Sequence, residues 1–268
     1  AAAATQYAVQ FAARLGARVQ AVYVTDIRIL EGPLLADISG ALGAQPYAAL
    51  VPQLNEWQQE KASLAFETVR SACEKQHVPC EVVHKTGRIV PVILELERAA
   101  DLVVLGQRGE NAQWAWQPLG SCVEGLVRAS IKPCLVVPGP WQEWDRLLIA
   151  YDGSAESQKA LRQGLVLARE FKASATVVVV AVDDRVTVSE SQLQEIERHA
   201  ASEGVTVATR QVRGHEAALE ILRAAGDVGA KLIVMGAYGH TRIRELILGS
   251  TTSMVLQRAT VPVLLVRG

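Results

Sequence analysis

Four residues at fixed spacing carry the clearest chemical signal in this sequence: Gly236, Gly239, Gly249 and Ser250, within KLIVMGAYGHTRIRELILGS. Leu232–Met235 is a short apolar run of strand length that stops at the first glycine. From Gly249 to Arg258 the pattern is that of a helix. A strand that ends in a glycine-punctuated loop, followed by a helix start, gathers backbone amides around an oxyanion. Glycines remove the Cβ atoms that would block close approach, and the helix start adds unpaired N–H groups with a favourable dipole. Phosphate is the group such a cradle suits. The spacing is G-x-x-G, nine residues, then G-[ST], and the sequence has neither G-x-x-x-x-G-K-[ST] nor G-x-G-x-x-G behind a strand. His240, Arg242 and Arg244 fall between the second and third glycines, where they either complement a polyphosphate or sit as solvated charges.

The other candidates come from the strand ends that precede this loop. Asp152 closes an apolar strand in RLLIAYDGS. Its carboxylate could accept hydrogen bonds from ribose hydroxyls or adenine, or form an Asx turn ahead of Ser154, which is placed to cap the next helix. Val182 and Met235 each end an apolar run and could pack on an adenine face or belong to the core. Gly236 and Gly239 could equally be turn glycines, and a Ser250 that caps a helix can also meet a phosphate. In an open parallel sheet, ligands bind beyond the carboxyl ends of the strands where the strand order reverses. That rule would bring Ala150–Asp152, Val182 and Met235–Gly239 together. No metal site is read from side chains. The five histidines contain no H-E-x-x-H, and Cys73, Cys80, Cys122 and Cys134 contain no C-x-x-C and read as buried reduced thiols.

These residues need a frame to hold them. The chain has 268 residues, 50% apolar and 21% charged, enough for a well-filled core in one large domain or two ordinary ones. A net charge of −1 argues against a general nucleic-acid binder. No apolar run approaches the ~18 residues of a membrane span. The opening AAAATQYAVQFAARLG reads as an amphipathic helix rather than a signal peptide.

Self-comparison gives the architecture. Gly106, Gly109, Gly120–Ser121 and Pro133 answer Gly236, Gly239, Gly249–Ser250 and Pro262. The chain is therefore two copies of one unit of ~130 residues. They join around Pro138–Trp144, with domains expected at 1–140 and 145–268. In the second copy, strands are expected at Arg146–Tyr151, Ala175–Val182, Val205–Val212, Leu232–Met235 and Val261–Val266. Helices are expected from Ser154 to Lys172, Ser189 to Glu203, His215 to Ala225 and Gly249 to Arg258. Such alternation implies a parallel sheet with right-handed crossovers. The first copy departs in three ways. It opens on a helix, without the strand that begins the second copy. An apolar, Gly/Pro-punctuated insertion, Asp26–Val51, precedes a helix expected to start near Gln53 and reads as a lid or subunit contact. Its Gly109-to-Gly120 loop is one residue longer and holds Glu110, Trp114 and Trp116.

The G-x-x-G…G-[ST] pattern resembles the ATP-binding signature of the universal stress protein family, and the resemblance covers nearly the whole chain. It implies an α/β fold of two tandem Rossmann-like, open parallel-sheet sandwich domains (Usp, adenine nucleotide alpha hydrolase-like), the first lacking its first strand in this sequence. Carried over residue by residue, it implies ATP, with or without Mg, held mainly by the second domain. The implied contacts are Ala150, Tyr151, Asp152, Val182, Met235, Gly236, Tyr238, Gly239, Gly249, Ser250 and Thr251. The longer loop and Glu110 make the first domain a poorer match. The expected function is nucleotide binding in a cytoplasmic stress-response or signalling protein. No base-plus-metal constellation marks a dedicated hydrolase, so slow ATP hydrolysis is the most that is expected. The alternative is a scaffold without nucleotide, acting through dimerisation and partner contacts, which the 26–51 insertion and the tryptophan-containing loop would suit. A true enzyme of a related fold would need a substrate domain for which the repeats leave no room. In this family the last strand often mediates dimerisation, so Val261–Val266 and Cys134–Val137 are the expected edges of an intrachain pseudo-dimer, with a homodimer as a further option.

Overall fold

The computed structural model of the protein describes residues 2–27, 46–107, 119–182, 188–237 and 248–267. By its contacts the chain divides into two units, Ala8–Leu96 on the one hand and Ala1–Tyr7 with Glu97–Gly268 on the other.

The smaller unit holds most of α1 (Ala2–Leu15), then β1 (Val19–Asp26), α2 (Pro46–Lys75), β2 (Cys80–Gly87) and α3 (Ile89–Leu96). β1 and β2 pair in parallel from Val19↔Cys80 to Asp26↔Gly87 as a two-stranded sheet. A small core of Val9, Ala12, Val19, Cys73 and Val78 packs α1 and the end of α2 on the sheet. The helix expected near Gln53 begins instead at Pro46, inside the expected insertion, and runs through Pro52. Proline's fixed φ suits the first helical position, so Pro46 opens a helix where punctuation alone suggested a loop. The rest of the insertion, 28–45, lies outside the described residues, as do Glu110, Trp114 and Trp116.

The larger unit is built on β3 (Val103–Gly106), α4 (Ser121–Ala129), β4 (Cys134–Val137), β5 (Arg146–Ala150), α5 (Ala155–Phe171), β6 (Ser174–Val182), α6 (Glu190–Ser202), β7 (Val207–Gly214), α7 (Ala217–Val228), β8 (Leu232–Gly236), α8 (Ser250–Arg258) and β9 (Val263–Val266). Its seven-stranded sheet has the order β3-β4-β9-β8-β5-β6-β7. Every pair is parallel except β4–β9. The apolar runs are apolar because the central strands are covered on both faces: β4, β8 and β9 are buried almost throughout.

Three expected boundaries move for identifiable reasons. The β7 strand starts at Val207 rather than Val205, because Val205 N–H donates to Ala200 C=O at 2.9 Å and closes the end of α6. The α7 helix runs past Ala225 and Gly226, since the left-handed cap that stops it is Gly229, at φ 63°. The β9 strand starts at Val263, after Pro262, whose missing N–H keeps it from donating to the ladder.

The two edge strands singled out from the sequence pair with each other, Cys134↔Leu265, Leu135↔Leu264 and Val136↔Val263. Leu135 and Leu264 are equivalent positions of the two repeats, two residues after Pro133 and Pro262. The pairing is thus isologous, with a local two-fold axis at this leucine pair. The chain between the repeats is pinned by aromatic packing. Trp144 is fully buried, its ring 5.0 Å from Phe171 and 5.8 Å from Tyr7, and the Tyr7 hydroxyl donates to Pro140 C=O at 3.2 Å.

Candidate functional site

Within the second repeat the order is β7-β6-β5-β8-β9, so the chain reverses its direction of winding between β5 and β8. The crevice of an open sheet lies there, beyond the carboxyl ends of the strands. The residues that end β5 and β8 are Ala150 and Gly236, both among the expected site residues. Tyr151 continues β5 by donating its N–H to Val178 C=O at 2.9 Å, and Gly153, at φ 81°, then turns the chain into α5.

Asp152 forms the Asx turn: its Oδ1 accepts from Ser154 N–H at 2.9 Å. Ser154 in turn caps α5, its hydroxyl accepting from Ser157 N–H at 3.2 Å. Burial, and then the neighbouring Asp152 charge, push the Tyr151 phenol up, which keeps it a neutral hydroxyl beside that carboxylate. Met235 and Ala150 belong to the core cluster under α7 and α8. Val182, half-buried, pairs with Gly214 four positions beyond the Ala150↔Val178 level, so β6 overhangs the end of β5.

The two described motif glycines differ. At Gly236 a Cβ would lie 2.9 Å from Glu156 Cβ and 3.1 Å from Glu156 C, so the glycine lets β8 end directly against the first turn of α5. At Gly249, φ is −58° and ψ 145°, values any residue adopts, and among the described residues a Cβ would meet nothing nearer than Thr252 Oγ1 at 3.8 Å. Neither backbone nor internal packing requires a glycine at 249.

Gly249 is also the N-cap of α8, where no side chain of the described residues caps the helix and no acidic residue occupies the first turn. Ser250 is exposed and Thr251 half-buried on that turn. The start of α8 is tied to the end of β8 by Thr252, which is 3% exposed and donates its hydroxyl to Ala237 C=O at 3.1 Å. Sequence reasoning passed over this threonine. The available signal was a polar residue on the buried Thr252, Val255, Leu256 stripe. The N-terminus of α5, by contrast, is closed by Ser154 and carries Glu156. In the first repeat, α4 also starts after an uncapped glycine, Gly120, but has Glu124 in its first turn. Gln107 stands where the second repeat has Ala237, and its Nε2 donates to Leu256 C=O at 2.6 Å.

Tyr238, Gly239, His240, Arg242 and Arg244 lie outside the described residues. Among the described residues no three His, Cys, Asp or Glu side chains group to hold a metal ion, and no helix is long and apolar enough to cross a membrane.

Comparison with known proteins agrees with this geometry. The model of the universal stress protein family matches the chain twice, at residues 1–138 and 143–267. The universal stress protein Slr1230 of Synechocystis is 33% identical over 271 residues, covering 97% of this chain and 93% of that protein. YxiE of Bacillus subtilis, another universal stress protein, is 32% identical over 148 residues, which is 99% of it but 46% of this chain. The crystal structure of a universal stress protein from Archaeoglobus fulgidus aligns over 98% of this chain and 90% of its own, with a TM-score of 0.75 at 22% identity, a likeness of fold. This chain belongs to the universal stress protein family, with two of its domains in tandem.

Proposed function

We propose that the second repeat, residues 145–268, binds ATP as a ligand of a stress-response or signalling protein, and that the first repeat, residues 1–140, does not bind it in the same way. The observation that carries this reading is the start of α8. A helix start that no described side chain caps, and that has no acidic residue in its first turn, suits a phosphate through its amides and dipole end. A glycine that neither its backbone angles nor its neighbours require keeps the approach clear. The reversal point of the sheet sets Asp152, on the loop after β5, and the end of β8 on either side of the same crevice. Asp152 there suits ribose hydroxyls or a Mg²⁺ ion accompanying the phosphates, with the overhanging Val182 above an adenine face. Gly239, His240 and Arg242 complete the cradle in this reading, with Tyr238 beside them. The first repeat has Glu124 at the corresponding helix start, which repels phosphate.

The function is binding, with slow hydrolysis at most, and we place the protein in the cytoplasm, where four free thiols stay reduced. Denaturing the purified protein and identifying the released nucleotide by mass spectrometry, followed by calorimetric titration of the stripped protein with ATP, tests this directly. About one ATP per chain is expected. No nucleotide and no uptake would leave the scaffold reading, and two per chain would overturn the distinction between repeats.

A further inference from the structure

The amino ends of the same strands hold a second feature, which the repeat makes readable. The two halves superpose locally in hydrogen bonding: Val103 N–H donates to Pro133 C=O at 3.0 Å, and Ile233 N–H to Pro262 C=O at 2.9 Å. Glu97, just ahead of β3, faces the turn that leads into β4, as the end of α7 faces the turn that leads into β9. In the first repeat the slot between them is filled. Glu97, 4% exposed, puts Oε2 against the Ser130 hydroxyl at 2.6 Å and Oε1 against Ile131 N–H at 3.0 Å. A carboxylate is thus held by a backbone amide and a hydroxyl on the turn after α4.

In the second repeat no carboxylate of the described residues lines the slot: Asp227, which stands nine residues before Gly236 as Glu97 stands before Gly106, is exposed and outside the wall. Ser130 is replaced by Ala259 and Ile131 by Thr260, while Gly226 and Gly229 occupy the facing helix end. What remains is a cavity of about 200 Å³ lined by Gly226, Gly229, Lys231, Arg258, Thr260 and apolar neighbours, with no acidic residue in its wall. The C-terminal ends of α7 and α8 disfavour an anion here. The ammonium of Lys231 and the guanidinium of Arg258 offset that, and Arg146 adds a third cation, donating to Val228 C=O at 3.3 Å. Arg146 is itself paired with Asp145 at 3.5 Å.

We propose that this cavity is a binding site for a small free carboxylate, which occupies the place that the Glu97 side chain takes in the first repeat. The ligand sets one oxygen against the Thr260 N–H and hydroxyl and the other toward Lys231 and Arg258. At ~30 Å³ per water-sized group, the space holds an acid of about two to four carbons. The site lies at the opposite ends of the strands from the proposed nucleotide site, so either can fail without the other.

The test is an amide ¹H–¹⁵N titration of the intact chain with sodium acetate and sodium pyruvate, against sodium chloride at matched ionic strength. Saturable shifts confined to Thr260, Val261, Lys231 and Gly229 are expected, and they should vanish in the Lys231→Met/Arg258→Met double variant with its spectrum otherwise intact. Ala259→Ser restores the hydroxyl that Ser130 offers Glu97 and should tighten binding roughly tenfold. Linear shifts spread over surface amides and reproduced by chloride would overturn the site. Equal binding by inorganic phosphate would overturn its assignment to carboxylates, and unchanged affinity in Ala259→Ser would overturn the correspondence with Glu97.

Discussion

Replacing the two described motif glycines by alanine, one at a time, should separate architecture from ligand approach. In Gly236→Ala the new Cβ arrives 2.9 Å from Glu156 Cβ and 3.1 Å from its carbonyl carbon. The second of these is backbone, so α5 or β8 must shift. Overpacking of this kind costs about 1–3 kcal/mol, and each kcal/mol lowers Tm by about 2–4 °C in a domain of this size. In Gly249→Ala the Cβ has, among the described residues, only Thr252 Oγ1 as a neighbour, at 3.8 Å, and φ of −58° suits alanine. Alanine loses less backbone entropy on folding than glycine, worth about 0.4–1 kcal/mol, but is the poorer N-cap by a similar amount. Stability should therefore change by less than about 0.5 kcal/mol. The affinity for ATP should fall instead. Displacing the phosphate by one methyl group forfeits a charge-assisted amide contact worth about 1.5–3 kcal/mol, or roughly a tenfold to hundredfold weakening. Urea denaturation of nucleotide-free protein measures the first quantity and calorimetric titration with ATP the second. If Gly249→Ala destabilises as much as Gly236→Ala, or binds ATP as the parent does, the separation argued here is wrong.

Three further outcomes follow from the packing. Ser154→Ala removes the hydroxyl that accepts from Ser157 N–H and should cost about 1 kcal/mol in urea melts, because that donor then lacks its cap. Trp144→Ala empties a fully buried site against Phe171 and Tyr7 and should cost about 3–5 kcal/mol, read as a lower Tm by calorimetry. Burial pushes the Cys134 thiol from its ordinary 9.0 up to about 11, with the Ser130 hydrogen bond opposing the shift and the Glu97 charge adding to it. A raised acid stays neutral in the fold while the unfolded chain ionises. Its stabilisation is thus full below about pH 9 and is lost as pH rises toward about 11, a decline in urea midpoint that Cys134→Ala should flatten.

Much of this was legible in the residues. The repeat could be read because glycines and prolines fix backbone events that side-chain drift does not erase, and Pro133 and Pro262 indeed stand at matching places before β4 and β9. Asp152 reads two ways from its neighbours in sequence, and the turn geometry shows the Asx arrangement. The packing demand at Gly236 could not be read, because it comes from Glu156, eighty residues earlier in the sequence and adjacent only after folding. The same holds for Thr252, whose acceptor is the carbonyl of Ala237. The β4–β9 joint could be read from the matching proline-headed strands, but the division of the first repeat was beyond the pattern: β1 and β2 form a sheet of their own, while β3 and β4 join the strands of the second repeat.

The isologous pairing at Leu135 and Leu264 has a consequence for how the two halves respond to dilution and to mutation. A linker that short holds the partner edges at an effective concentration of about millimolar, so the joint persists however scarce the protein becomes. A symmetric association of separate copies would depend on abundance, and every substitution in it would appear twice. Here a change such as Glu124 at the start of α4 is written into one half alone, and the other keeps an acid-free helix start. Covalent tandem linkage thus frees one copy to drift or specialise while the other is left unchanged, with the shared sheet insensitive to expression level.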